Sequence, residues 1–148
     1  MLRLERISMK KEVLLTIKGV QKYETHEDND LETKACGEYY FRNGWHYVLY
    51  EEQTQGFQQS TKSILKMKDG CVELTRKGLV NTTMVFDRHK ETVSHYKTPF
   101  GEVLLGIRTG TLKLQETDAS IKAEVQYVLE ADGRHMADCR IWIEVCTA

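Results

Sequence analysis

From Glu12 onward, apolar residues recur at every second position. The runs are Val13, Leu15, Ile17; Val80, Thr82, Met84, Phe86; Val103, Leu105, Ile107; Ile121, Ala123, Val125, Tyr127, Leu129; and Cys139, Ile141, Ile143, Val145. Strand side chains alternate between two faces, so this period writes one apolar face and one mostly polar face. No long segment carries apolar residues at helical spacing, and Thr, Val and Tyr, which suit a pleated surface, are plentiful. About nine or ten strands follow, at the regular spacing of an all-β sandwich or barrel. The single proline agrees, because proline cannot donate to a ladder. At 148 residues, with no internal repeat and no low-complexity linker, the chain forms one domain that can bury a core without disulfides or metal. The expected fold class is all-β, a single antiparallel, meander-like barrel over 11–146. Residues 1–10 form an N-terminal extension that could join the first strand, and Met9 offers an alternative start.

Turn chemistry sets the pairing. Asn43-Gly44 and Asp69-Gly70 are two-residue hairpin signals of type I′, which needs positive φ at both central residues. A two-residue loop at Asp69-Gly70 pairs Met67 with Val72, Leu65 with Leu74 and Ser63 with Arg76, so the apolar rows coincide. Thr98-Pro99-Phe100-Gly101 fits a type I turn and pairs Tyr96 with Val103. At Asp132-Gly133 a two-residue loop would set Ile121 opposite Glu144 and mix the faces. The sequence therefore predicts a three-residue loop, Ala131 to Gly133, with Gly133 left-handed in a bulge and Ile121 opposite Ile143.

In a meander, the turns at Asn43-Gly44, Asp69-Gly70 and Arg88 to Lys90 share one end. The other end collects the turns near Gly78 and Pro99 and the longer connections Glu24 to Asp30 and Gln53 to Ser60. Longer loops usually mark the functional end of a barrel. These registers send Tyr50, Glu52, Ser63, Arg76 and Tyr96 to the inward face near that end. An Arg offers a rigid five-donor fork and the tyrosines offer apolar walls with a polar tip, a set suited to a small molecule bearing a carboxylate, phosphate or planar polar group. The competing reading is a structural plug in which Glu52 and Arg76 only neutralise one another, as buried charges generally do.

Other signals point away from familiar chemistries. A net charge of −1 argues against a protein devoted to binding phosphate backbones. No apolar run approaches the roughly 20 residues that span a bilayer, and the N-terminus carries no signal-peptide core, so a cytoplasmic setting is expected. Cys36, Cys71, Cys139 and Cys146 lack zinc-like spacing and read as reduced, packed thiols. The acidic stretch His26 to Glu32 fails as an EF-hand, which would need Gly at Thr33 and Glu at Tyr39. Asn81-Thr82-Thr83 reads as a chance match to a glycosylation signal. His26, His46, His89, His95 and His135 show no catalytic-metal spacing and default to surface or strand positions. Walker, G-x-G-x-x-G and G-x-S-x-G motifs are absent. Tyr39, Tyr40, Phe41, Trp45 and Tyr47 cluster about the first hairpin, split between two faces, which favours cross-strand packing over stacking on nucleic-acid bases. No cofactor, metal, nucleic-acid partner or membrane span is expected.

The succession Gly37-x-Tyr39, Tyr50-x-Glu52, Val72-x-Leu74-x-Arg76-x-Gly78, Met84-x-Phe86, Tyr96-x-Thr98-Pro99-Phe100-Gly101 and Ile107-x-Thr109 resembles the YwiB-like family. The resemblance extends over Lys11 to Val145. It implies a calycin-like β-barrel, similar in shape to lipocalins, in a bacterial cytoplasm, and it brings no activity and no catalytic residues. The leading expectation is a barrel that binds a small molecule at its wider end through Arg76, Glu52 and Ser63, walled by Tyr50 and Tyr96. The rival is an interaction or structural barrel, open to homodimerisation, that works through an outer face carrying Trp45 or Trp142. An enzyme ranks third, since no reaction is written in the sequence.

Overall fold

The computed structural model describes residues 11–23, 28–53 and 60–148. The expected extension over 1–10 lies outside the described residues, as do 24–27 and 54–59 of the two longer connections. Ten strands follow one another: β1 (Lys11–Tyr23), β2 (Asn29–Arg42), β3 (Trp45–Gln53), β4 (Ser60–Lys68), β5 (Cys71–Lys77), β6 (Asn81–Asp87), β7 (Thr92–Thr98), β8 (Gly101–Glu116), β9 (Ser120–Ala131) and β10 (Arg134–Thr147). Each pairs antiparallel with its neighbour in sequence, and β1 also pairs with β10, so the meander closes into a barrel. Closure removes the sheet edge that an open sheet of this size would expose. Among the described residues there is no helix.

The turns fix most of the register as their chemistry demands. Met67 faces Val72, Leu65 faces Leu74, Ser63 faces Arg76 and Tyr96 faces Val103. Asn43 and Gly44 both adopt positive φ, 53° and 82°, as a type I′ turn requires. At Asp69-Gly70 only Gly70 does, at 84°, so that turn departs from type I′ while keeping the two-residue loop and its register.

The last hairpin corrects the sequence reading. Asp132 and Gly133 have φ of 53° and 74°, a two-residue turn with Ala131 opposite Arg134. The register then shifts between His135 and Ala137, which places Ile121 opposite Val145 and Ala123 opposite Ile143. A one-residue offset is needed to keep apolar faces together, and it sits at a bulge inside β10 rather than in the loop. A second shift, between Thr109 and Thr111 in β8, bends that long strand around the barrel.

Inward positions of the half nearer the Asn43-Gly44 turn fill solidly. Val13, Leu15, Tyr39, Val48, Leu65, Met67, Val72, Ile121, Val125 and Val145 are all fully buried there. Phe86, opposite Val72, packs its ring 4.6 Å from that of Tyr127. The other half is incompletely filled and holds the cavity described below.

One seam differs from the rest. Between β6 and β7 the ladder comprises Asn81 with Lys97 and Thr82 with Tyr96. Beyond that point side-chain hydroxyls replace backbone donors: Ser94 Oγ donates to the Thr83 carbonyl at 2.8 Å and Thr92 Oγ1 to that of Val85 at 2.5 Å. Since the Ser94 proton is committed to Thr83, the Thr82 hydroxyl is the donor in its 3.3 Å contact with Ser94. Ser94→Ala should therefore lower unfolding stability in urea by about 1–3 kcal/mol. Amides of β7 should also exchange with deuterium faster than those of β9 and β10. Equal protection across the barrel would refute a weak seam.

Candidate functional site

The inward row that crosses the sheet at mid-height runs Gly37, Tyr50, Ser63, Arg76, Thr82, Tyr96 and Val103, each opposite the next on the neighbouring strand. Glu52 stands two residues beyond Tyr50 on β3, opposite Thr61 and nearer the mouth. Two glycines let these strands come together. A Cβ at Gly37 would lie 2.8 Å from the Leu49 carbonyl oxygen, and one at Gly78 would lie 2.6 Å from Thr61 Oγ1. Both contacts are closer than real side chains sustain, so only glycine admits the approach.

Along this row lies a cavity of about 660 Å³. Glu52, Arg76 and Tyr96 line it, together with Thr61 and Thr82 from the same wall and Tyr23, Gln21 and Tyr127 from the opposite one. Ile17, Leu74, Met84, Phe86 and Ile141 supply the apolar surface. Tyr50 and Ser63 stand on the row just beneath and are buried, at 4% and 2% exposure. Tyr96 is only partly enclosed, because the tip of the β7–β8 hairpin projects past its neighbours and leaves Phe100, Val103 and Leu104 exposed.

Arg76 Nη2 lies 3.9 Å from Glu52 Oε1, an ion pair by distance but too long for a hydrogen bond. Glu52 Oε1, Arg76 Nε, Tyr50 Oη and Ser63 Oγ are all buried atoms without a hydrogen-bond partner. These four atoms make no well-aligned hydrogen bond, although Ser63 and Arg76 stand near enough to the Tyr50 hydroxyl to hold down the rise in its phenol pKa. Burial pushes the Tyr50 phenol above its ordinary value, and the neighbouring Arg76 guanidinium opposes the rise. On the opposite wall burial raises the Tyr127 phenol as well, and the Tyr23 hydroxyl donates to Gln21 Oε1 at 2.7 Å.

Sequence reasoning misses this second wall. Gln21, Tyr23 and Tyr127 have inward parity on β1 and β9, which is the available signal, yet the period marks β9 only as a core strand and leaves the end of β1 unassigned. A buried polar chain at the filled end escapes it too. His46 is 4% exposed, and its Nδ1 and Nε2 lie 2.7 Å from Tyr39 Oη and from Glu116 Oε1 respectively. A carboxylate only accepts, so Nε2–H donates to Glu116 and, in the neutral ring, Nδ1 accepts from Tyr39. His46 is thus a strand histidine, as expected, but one turned into the core, with partners from β2 and the end of β8.

The aromatic cluster packs as cross-strand pairs. Tyr39 points inward, while Tyr40 and Tyr47 stack outside at 4.6 Å. Lys66 and Lys68 cover the Trp45 ring at 4.5 and 4.4 Å. Trp142 is 37% exposed on the outer face, with the Arg140 guanidinium 5.5 Å from its ring. Asn29 to Glu32 belong to β2 and so form no calcium loop, and no cluster among the described residues could hold a metal ion. No helix is long and apolar enough to cross a membrane among the described residues.

A family model described as a domain of unknown function, DUF1934, matches residues 15–143. No curated protein matches the chain. Among solved structures, the ywiB protein from Bacillus subtilis superposes with a TM-score of 0.80 at 21% identity, covering 94% of this chain and 93% of that one. At that identity the likeness is one of fold. Ail, the attachment invasion locus protein of Yersinia pestis, covers 93% of this chain and 95% of its own, but a TM-score of 0.31 and 8% identity carry no argument.

Two outcomes test the site's chemistry. Tyr50→Phe removes a buried hydroxyl that makes no well-aligned hydrogen bond, so urea stability should hold or rise by up to about 1 kcal/mol; a clear loss would mean that the phenol is bonded in solution. Burial also raises the Cys139 thiol from 9.0 to about 11. Its stabilising contribution is complete below pH 9 and is lost as pH climbs through 11, because the unfolded thiol ionises first. The urea midpoint should fall over that window, and less steeply in Cys139→Ala; parallel curves would contradict the burial.

Proposed function

The chain belongs to the family described as a domain of unknown function, DUF1934, and we propose that this member binds a small molecule in the barrel end lined by Glu52, Arg76 and Tyr96, with Tyr50 and Ser63 beneath. The observation that carries the reading is a cavity of about 660 Å³ lined by Glu52 and Arg76, whose Oε1 and Nε make no hydrogen bond, with the similarly unbonded Tyr50 and Ser63 hydroxyls buried beside it. Cavities of roughly 300–1,000 Å³, mostly apolar with a few convergent polar groups, are the usual form of a ligand site. Leaving each such atom unsatisfied costs about 1–3 kcal/mol. A ligand that draws Arg76 and Glu52 into direct bonds would relieve part of that cost.

The surroundings fit a barrel immersed in water. Outward positions carry Lys18 and Lys22 on β1, Lys122 and Glu124 on β9, and Arg140 and Glu144 on β10, with cross-strand pairs at 3.6 Å (Lys122 to Glu144) and 3.7 Å (Arg140 to Glu124). A lipid-facing barrel would place apolar residues there. A second reading, contact with a partner or another copy of the chain, is favoured by one observation: the β7–β8 tip bares Phe100, Val103 and Leu104, with Phe100 99% exposed.

Native mass spectrometry of gently purified protein separates the readings. The ligand barrel predicts a reproducible extra mass, released on denaturation and absent from a folded Arg76→Leu variant. A bare dimer dispersed by Phe100→Ser would instead favour the interaction reading. If Arg76→Leu fails to fold, the guanidinium is structural and the plug reading gains.

A further inference from the structure

Resting on the cavity-binding reading, we infer that the ligand is an uncharged molecule with a planar lactam-type edge, an N–H beside a C=O, and not a fatty acid or other anion. Among the described residues, Glu52 and Arg76 are the only charged side chains that line the cavity. Their charges cancel across 3.9 Å. An anion would take the guanidinium and leave the Glu52 carboxylate facing both the newcomer's charge and the apolar wall. A cation would strand Arg76 in the same way. Separating a partly buried pair so that one member loses its counter-charge is strongly unfavourable, whereas a neutral ligand keeps the balance.

The pair also dictates what the neutral group must offer. A carboxylate accepts hydrogen bonds and a guanidinium donates them, so the ligand needs a donor for Glu52 and an acceptor for Arg76, close together and aimed the same way. A cis-amide edge meets that requirement with two separate, parallel bonds, whereas an ester has no donor and an alcohol must serve both partners from one oxygen. The remaining walls favour a flat ring. Tyr23, Tyr96, Tyr127 and Phe86 present aromatic surface, and Ile17, Leu74, Met84 and Ile141 present no polar atoms. A two- or three-ring lactam heterocycle matches both the polar edge and the apolar body.

The test uses the full chain and the uncharged dye N-phenyl-1-naphthylamine, displaced at pH 7 by 2-quinolone or lumichrome, both neutral lactams, or by dodecanoate. Both lactams should displace the dye, with dodecanoate needing about tenfold more or greater. Glu52→Gln, checked for folding by circular dichroism, should reverse the order by freeing Arg76 for the carboxylate. If the dye binds but dodecanoate competes as well as the lactams, or the lactams do not compete, the inference fails while cavity binding stands. If the dye does not bind at all, both fail. Should Glu52→Gln not fold, the ranking in the unaltered protein decides.

Discussion

Closure of ten antiparallel strands governs everything else in this molecule. Pairing β1 with β10 removes both edges, and the circumference then sets how much interior must be filled. A barrel of about eight strands is just wide enough for side chains to fill. With ten, large residues such as Tyr39, Met67 and Phe86 pack one half, and the inward residues of the other half do not meet across the axis. The cavity follows from strand number and from the small or polar residues the upper rows carry.

That geometry explains why polar groups lie where they do. At the filled end His46 finds partners on both ring nitrogens, and the chain from Tyr39 to Glu116 satisfies a polar side chain that is nearly sealed. At the cavity end Tyr50, Ser63, Arg76 and Glu52 converge without well-aligned hydrogen bonds among these atoms. The same low-dielectric interior thus holds one completed network and one incomplete one.

The outer surface carries a different division. Lys or Arg pairs with Glu across strands over β8 to β10, and the Trp45 and Trp142 rings are partly covered by lysines or an arginine. The β7–β8 tip departs furthest from the pattern, because β8 runs beyond the end of β9 and β7 is held to β6 through two backbone pairs and a few hydroxyls. The tip projects at the mouth, whereas the stretch of the β6–β7 seam bridged by hydroxyls, Thr83–Val85 against Thr92–Ser94, runs toward the opposite end.

Much of this is legible in the sequence. Period two fixes which residues face inward on each strand, and turn residues such as Asn43-Gly44 fix the register, so Tyr50, Ser63, Arg76 and Tyr96 fall on one row by pattern alone. Parity does not say where a compensating bulge lies, which is why sequence reasoning puts the offset of the last hairpin in the loop and the folded chain puts it between His135 and Ala137. Nor does parity say which residues meet across the axis. Glu116 and His46 are 70 positions apart, and Tyr127 reaches the cavity from the wall opposite Arg76. Local sequence determines the facing of each side chain because that depends on a single strand's pleat. The cavity, its unpartnered atoms and the histidine's partners depend on strand number, tilt and closure, which only the assembled barrel decides.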